Sequence, residues 1–194
     1  MDKSPQKKER FIAAATALLS DRGYKAMTMR ELAHELGCDK SNIYNYIKSK
    51  QDLLDQLLFE VADKFHKGIS EIETSTYPAI DKLKEVIRLH VRMTFDNPAK
   101  MNIHVNEWKF LEENRKALFL KRRKSYEKKI SRILRAGIQE NAFKSGDVEF
   151  LKNCTLSSIR WLYTWKISEK KNLNPLEVEK NITEFIFNGL GSDN

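Results

Sequence analysis

The chain has 194 residues, of which 41% are hydrophobic, seven are glycine and four are proline. This composition excludes collagenous and disordered proteins and is typical of a globular chain with a sizeable core. Thirty-five lysines and arginines against 27 aspartates and glutamates leave a net charge of +8, which favours an anionic partner such as nucleic acid.

The two cysteines, Cys38 and Cys154, lie far apart, and neither has a further Cys or His at ligand spacing. The sequence therefore predicts neither a disulfide framework nor a metal site. The charged N-terminal stretch lacks the apolar segment of a signal peptide, and no run approaches the ~18 apolar residues of a membrane span. We therefore expect a cytoplasmic protein that makes no membrane contact.

Apolar residues at helical spacing predict a first amphipathic helix that begins near Pro5 and ends near Gly23. Thr28 and Glu31 have the spacing of a capping box, which opens a short second helix that ends at Gly37. Short helices at this spacing are typical of a compact N-terminal domain.

Asp39 is predicted to cap a third short helix, and Ser49 with Asp52 opens a longer fourth one. Beyond about residue 75 the helices lengthen, and pairs of residues that suit helix ends separate them. These pairs are Tyr77-Pro78, Asn97-Pro98, Gly146-Asp147 and Asn174-Pro175. With one break near Glu112 to Asn114, the pattern predicts about nine helices, no strands and an all-α fold.

The segment from Thr28 to Ile47 has the spacing of a helix-turn-helix. Ala33 is small enough for a close helix crossing, Gly37 can adopt a positive φ at the turn, and Ile43 can plug the contact. An ordinary helical hairpin shows the same spacing by chance, so this motif alone leaves both interpretations open.

The string MTMRELAHELGCDKSNIYNYIKSKQDLL resembles the N-terminal signature of TetR-family transcriptional regulators. It differs at Ile47, where Phe is commonest in the family, and at Ser41-Asn42, where Gly-Thr is frequent. The resemblance implies a helix-turn-helix DNA-binding domain of three short helices over residues 1–50. It also implies a helical effector-binding and dimerisation domain over residues 51–194.

The resemblance places the third helix in the major groove of DNA, where its exposed polar side chains would face base edges. Asparagine can pair with adenine and lysine with guanine. The residues expected there are Lys40, Ser41, Asn42 and Asn45, and Arg30 resembles a family position that reaches a base.

Hydroxyl and ammonium groups around the motif are expected to bind phosphates of the DNA backbone. Such contacts fix the register of the protein on the duplex but do not select a sequence. These phosphate contacts are assigned to Thr28, Tyr44, Tyr46 and Lys50. The alternatives are that one of the two tyrosines packs in the core and that Lys40 and Lys50 are solvated surface charges.

A dimer is expected, because one helix-turn-helix domain, here called a head, makes few contacts with DNA. Family members pair two such heads on a near-palindromic site. The last two helices carry apolar stripes suited to a four-helix interface. Their residues are Leu151, Cys154, Ile159 and Leu162 in one helix, and Val178, Ile182, Phe185 and Ile186 in the other. The alternative is that these stripes form an ordinary core face.

The middle of the chain is rich in aromatic residues, which could line an apolar pocket for a small-molecule effector. The residues proposed to touch it are His90, Met93, His104, Trp108, Trp161 and Trp165. The order of features from Glu107-Trp108 through Gly137-Ile138 to Arg160-Trp161 resembles family members that sense acyl-CoA thioesters. The alternative for each aromatic residue is core packing.

Residues 115–132 contain nine basic side chains and one acidic one, Glu127. The favoured interpretation is a long amphipathic helix with a solvated basic face. The alternative is that some of these cations meet anionic groups, either phosphates of a CoA-like ligand or DNA that flanks the operator.

Signals of catalysis are absent from the sequence. The four histidines are scattered, and no nucleophile elbow, glycine-rich phosphate loop or H-E-x-x-H string occurs. We therefore expect no enzyme activity, no cofactor and no bound metal. The predicted function is that of a ligand-responsive, sequence-specific DNA-binding regulator, a repressor that acts as a homodimer. The alternative is a helical protein-interaction or anionic-ligand-binding module without operator recognition.

Overall fold

The computed structural model describes residues 5–163 and 173–191, and within them it contains nine α-helices and no β-sheet. The first four helices are α1 (Pro5–Ala26), α2 (Met29–Glu35), α3 (Lys40–Tyr44) and α4 (Lys50–Thr74). They are followed by α5 (Ala79–Asp96), α6 (Pro98–Asn106), α7 (Glu113–Gln139), α8 (Val148–Arg160) and α9 (Pro175–Leu190). Single 3₁₀ turns cover Trp108–Phe110 and Trp161–Tyr163. The all-α prediction is confirmed.

Side-chain caps begin several of these helices where the sequence predicts them. The capping box of Thr28 and Glu31 forms at α2, and the hydroxyl of Ser49 accepts the N–H of Asp52 at α4. Asp147 and Asn174 cap α8 and α9 in the same way. The expected cap of α3 differs, because the Asp39 side chain makes no capping hydrogen bond there.

The helices group into two compact units. The first consists of the described residues up to 62 together with 99–119, and the second of residues 63–98 together with the described residues from 120 onward. Both α4 and α7 contribute residues to each unit, and α6 belongs to the first except for Pro98. Functional domains at 1–50 and 51–194 stay a prediction.

The core of the first unit is formed by α1 to α4 with residues from α6 and α7. Ala33, Ile43 and Ile47 are buried in it, as the helix-turn-helix spacing requires. Gly37 has φ 60°, a left-handed conformation that residues with a β-carbon adopt less readily. The turn between α2 and α3 therefore depends on this glycine.

In the second unit, α5 packs against α8 and α9. Leu83 and Ile87 of α5, Leu156 of α8 and Ile182 of α9 are buried in this contact region of the unit. None of the described helices is long and apolar enough to cross a membrane. No group of three or more His, Cys, Asp or Glu side chains in the described ranges is placed to hold a metal ion.

Candidate functional site

The helix-turn-helix in the first unit is fixed at its start by reciprocal hydrogen bonds. The Thr28 hydroxyl accepts the N–H of Glu31 at 3.1 Å, and the Glu31 carboxylate accepts the N–H of Thr28 at 2.9 Å. The hydrogen bond from the Thr28 side chain lowers the pKa of Glu31. Because the carboxylate stays ionised, the box holds the start of α2 at neutral pH.

Buried apolar residues anchor one face of the third helix, and polar side chains project from its other face. Ile43 and Ile47 are buried beneath it, whereas Lys40, Ser41 and Asn45 are exposed and Asn42 is half-buried. Asparagine and lysine side chains offer the donors and acceptors that read base edges in a major groove. This arrangement is suited to DNA contact.

Arg30 and Thr28 are exposed beside this helix, at the start of α2. Tyr44 is also exposed, and the Lys40 ammonium lies 5.7 Å from its ring centroid. Of the nine predicted DNA-binding residues, six therefore lie at the helix-turn-helix with exposed side chains. Asn42 lies among them with a half-buried side chain. Their roles on DNA stay predictions.

Tyr46 and Lys50 are more deeply engaged in the fold. The Tyr46 ring packs on Phe11 with centroids 4.9 Å apart, which agrees with the alternative that one of the two tyrosines is a packing residue. The Lys50 ammonium donates to the carbonyl of Met27 at 2.8 Å and lies 4.3 Å from the Tyr24 ring centroid. Burial lowers the pKa of Lys50. Lys50 is thus tied to the α1–α2 corner and is not a solvated surface charge.

The same corner contains a contact that the sequence does not reveal. Gly23 has φ 75°, outside the helical range. The N–H of Tyr24 donates to the Glu107 carboxylate at 3.0 Å, across 83 residues of sequence. The Tyr24 hydroxyl donates to Gln51 at 2.6 Å, and its ring stacks on Phe110 at 5.3 Å. No local pattern marks Glu107, because its partner is distant in the chain.

The residues proposed for effector contact are divided between the two units. His104 and Trp108 lie in the first unit, where both pack on the Phe119 ring with centroids 5.1 and 6.2 Å away. Met93 and Trp161 lie in the second, half-buried and exposed respectively. Trp165 lies outside the described residues.

His90 is buried in the second unit between two tyrosine hydroxyls. Its Nε2 lies 2.6 Å from the Tyr126 oxygen, and its Nδ1 bonds the Tyr163 hydroxyl. Burial raises the pKa values of both tyrosines, so their hydroxyls stay protonated in this contact. The predicted effector contacts include His90 but neither tyrosine, and the sequence does not show that the three residues meet, because they come from α5, α7 and the turn after α8.

The interface prediction needs a correction. Five of its eight residues have side chains that are buried within the protomer, namely Ile159, Leu162, Val178, Ile182 and Ile186. These side chains form core and cannot reach a partner. Cys154 and Phe185 are exposed, and Leu151 is half-buried. The prediction was wrong for the five because an apolar stripe at helical spacing marks the buried face, whereas an interface uses the face outside it.

Large apolar side chains that the prediction omitted are exposed on the same helices. Phe150 of α8 is 66% exposed, and Leu176 of α9 is 73% exposed. Trp161 at the end of α8 is also exposed. Phe150 and Cys154 share one side of α8, because they are spaced by four residues.

The basic segment 115–132 is largely ion-paired. Six of its nine cations form ion pairs with carboxylates. Four of the six pair with carboxylates of α4, and the other two pair with carboxylates of α7 itself. The pairs are Arg115 with Asp55, Lys116 with Glu113, Arg122 with Asp63, Arg123 with Glu127, and Lys129 and Arg132 with Glu73. The favoured prediction of a solvated basic face stays a prediction, because several of these cations are partly exposed although carboxylates compensate most of them.

Comparisons with known proteins agree with this geometry. Residues 11–57 match the model of bacterial regulatory proteins of the tetR family, and residues 76–190 match that of the tetracyclin repressor-like C-terminal domain. The HTH-type transcriptional repressor KstR2 of Mycolicibacterium smegmatis is 25% identical over 162 residues, which cover 80% of this chain and 78% of that protein.

Solved structures share the fold over nearly the whole chain. The ketosteroid transcriptional regulator KstR2 of Mycobacterium tuberculosis superposes with a TM-score of 0.90 at 20% identity, covering 100% of this chain and 98% of that one. AibR, solved in complex with isovaleryl coenzyme A and operator DNA, superposes with a TM-score of 0.80 at 19% identity, covering 93% and 98%. The helix-turn-helix and the two matched domain models establish that the chain belongs to the TetR family of bacterial transcriptional regulators.

Proposed function

We propose that this regulator is a repressor that binds a near-palindromic operator as a homodimer and changes its affinity when a small molecule occupies the helical domain. The observation that carries the proposal is the α3 surface, where Lys40, Ser41, Asn42 and Asn45 project from a helix anchored by buried Ile43. A short helix with free polar side chains on a rigid base can enter a major groove.

The dimer follows from the size of this surface. One five-residue helix makes few base contacts, so sequence-specific proteins of this kind pair two heads about one helical turn, ~34 to 36 Å, or a multiple apart. The exposed apolar side chains of α8 and α9 support self-association through these two helices. Operator binding by AibR in its solved complex supports the same mode of action for this chain.

For the effector we propose an acyl-CoA thioester. AibR was solved with isovaleryl coenzyme A, and the order of features from Glu107-Trp108 to Arg160-Trp161 resembles acyl-CoA sensors of the family. An effector that binds one arrangement of the two heads better than another shifts the population toward that arrangement. Because its operator lies in bacterial DNA, the protein acts in the cytoplasm.

The test is selection of duplexes from a random library by the full chain, followed by affinity measurements on the selected site. We expect a palindromic consensus, and we expect Asn42→Ala to cost ~1 to 3 kcal/mol on it while relaxing the preference at particular bases. Gln56→Ala is the matched control, because Gln56 is an exposed amide of the same unit outside the helix-turn-helix.

Two results would contradict the proposal. A folded dimer that selects no duplex would favour the alternative of an interaction module. An equal loss on every sequence with Asn42→Ala would reduce Asn42 to a backbone contact. Addition of isovaleryl-CoA and longer acyl-CoA thioesters to the bound complex tests the effector, and no change in operator affinity with any of them would exclude this class.

A further inference from the structure

A surface groove of about 600 Å³ lies in the second unit where α7 faces α8. Its charged lining comes from Arg123, Lys124, Glu127 and Lys128 of α7 and from Glu149 and Lys152 of α8. This volume falls within the range of small-molecule sites in proteins. The four cations and two carboxylates leave the groove with a net charge of +2.

Both carboxylates of the groove are already neutralised. Glu127 accepts from Arg160 at 2.8 Å and from Arg123 at 3.3 Å. Burial alone would raise the pKa of Glu127, but the hydrogen bonds and positive charges of Arg160 and Arg123 together outweigh it and lower this pKa. Glu149 accepts from Lys152 and from the Ser131 hydroxyl, which lowers its pKa as well. The carboxylates therefore serve to hold cations in place.

Lys152 is a built part of this groove. The residue is only 7% exposed, although lysine is almost never buried unless it is paired. Its ammonium bonds Glu149, which is in turn fixed by Ser131. An ammonium has three N–H donors, so Lys152 keeps donors beyond the one that Glu149 accepts. The charge is thus oriented by a second and third side chain.

Lys124 and Lys128 supply the uncompensated charge. Both are exposed, and within the described residues neither lies within 4.0 Å of a carboxylate oxygen. They are four residues apart on α7, so their side chains leave the same face of the helix, roughly 5–6 Å apart at their β-carbons. Lys121 precedes them on this face and also makes no ion pair in the described part of the chain. Like charges at this spacing destabilise a helix, and an anion between them would remove that cost.

We propose that the groove between α7 and α8 binds a small ligand that carries at least two phosphate groups, such as a nucleotide or coenzyme A. Lys124 and Lys128 would meet the phosphates from one wall, and the oriented ammonium of Lys152 would meet them from the other. Lysine binds phosphate as a point charge with rotatable donors, which suits the open groove. Ligand binding in this groove does not depend on operator recognition. If the ligand is coenzyme A, the groove is part of the proposed effector site.

The experiment is isothermal titration calorimetry of the full chain with inorganic diphosphate, ADP and coenzyme A in separate titrations. We expect saturable binding that weakens as salt rises. Lys124→Gln/Lys128→Gln should weaken it about a hundredfold, because each of the two charged hydrogen bonds is worth about a factor of ten in affinity. Lys67→Gln/Lys180→Gln is the control, since both lysines are exposed in the same unit, outside the groove.

The three probes separate the sources of the phosphates. Coenzyme A that binds at least tenfold more tightly than ADP identifies a CoA thioester, and the reverse order identifies a free nucleotide; both support the site. Absence of saturable binding by every probe overturns it, as does equal affinity of the groove variant and the control variant. Operator affinity of the groove variant without ligand is measured in parallel, so that failure of this site is not confused with failure of DNA recognition.

Discussion

Gly23 leaves helical geometry inside α1, just before Tyr24. At this kink the Glu107 carboxylate accepts the backbone N–H of Tyr24 at 3.0 Å. We predict that Glu107→Ala lowers the free energy of unfolding by about 1–2 kcal/mol, since a partly buried donor loses a charged acceptor. Operator binding should weaken too, because this corner also holds Lys50 at the start of α4.

Urea unfolding of two further variants completes this test. Glu107→Gln keeps a carbonyl acceptor and should recover most of the stability. Glu113→Ala is the control, because Glu113 is exposed and pairs only with the neighbouring Lys116. If Glu107→Ala unfolds at the same urea concentration as the Glu113 control, the carboxylate does not hold the corner.

Gly137 lies against the face of Phe143 in the second unit. A β-carbon at this position would lie 2.1 Å from two ring atoms of the buried Phe143 side chain. We predict that Gly137→Ala lowers the melting temperature, at a cost of about 1–3 kcal/mol from overpacking. Gly189→Ala, at a helical glycine with nothing within 4 Å, should be neutral or slightly stabilising. Equal effects of the two substitutions would contradict the close contact.

At the scale of elements, the helices and the helix-turn-helix follow from local sequence, because caps and turns act over three to six residues. Thr28 with Glu31, Asn174 with Pro175 and the glycine at 37 each carry their own signal. The partners of α7 are different. Asp55, Asp63 and Glu73 meet its cations from sequence separations of 59 or 60 residues. Charge density alone therefore predicts a basic face but not which charges are neutralised.

Glu73 of α4 gives this helix pairing a pH dependence. The hydrogen bond from Arg132 and then that from Lys129 lower the pKa of Glu73 in the folded chain. A carboxylate with a depressed folded pKa stabilises the fold above its unfolded pKa of about 4.3, and this contribution is lost as the pH falls through the folded value. We predict that Glu73→Gln lowers stability at pH 7 and that the deficit shrinks as the pH falls below about 4.

Unfolding by urea between about pH 7 and pH 3 measures this difference. Glu71→Gln is the matched control on the same helix, since Glu71 is exposed and lies 3.9 Å from Lys67. A Glu73→Gln deficit that stays constant across this range would show that the carboxylate acts through packing and not through its charge.

At the scale of the whole molecule, the exposed apolar residues of α8 and α9 are costly in a monomer. Phe150 is 66% exposed and Phe185 is 70% exposed. An aromatic side chain buries 150–250 Å² when covered, and such residues dominate the energetics of interfaces. We therefore expect the interface on the outer faces of these two helices, whose inner stripes form the core.

We predict that Phe150→Glu/Phe185→Glu converts the protein from a dimer to a monomer of 22.7 kDa, measured by sedimentation velocity at micromolar concentration. In a dimer, the glutamates introduced on the two copies would be buried close together without water. The cost of removing water from these carboxylates opposes association. Tyr77→Glu is the control, because Tyr77 is an exposed aromatic residue outside α8 and α9. Palindromic operator binding should fall with the loss of the dimer, while contacts to a single half-site stay unchanged, because α3 is untouched. A wild-type protein that is a monomer would contradict the proposed dimer. A dimer that survives the double substitution would show that the two copies associate through another surface.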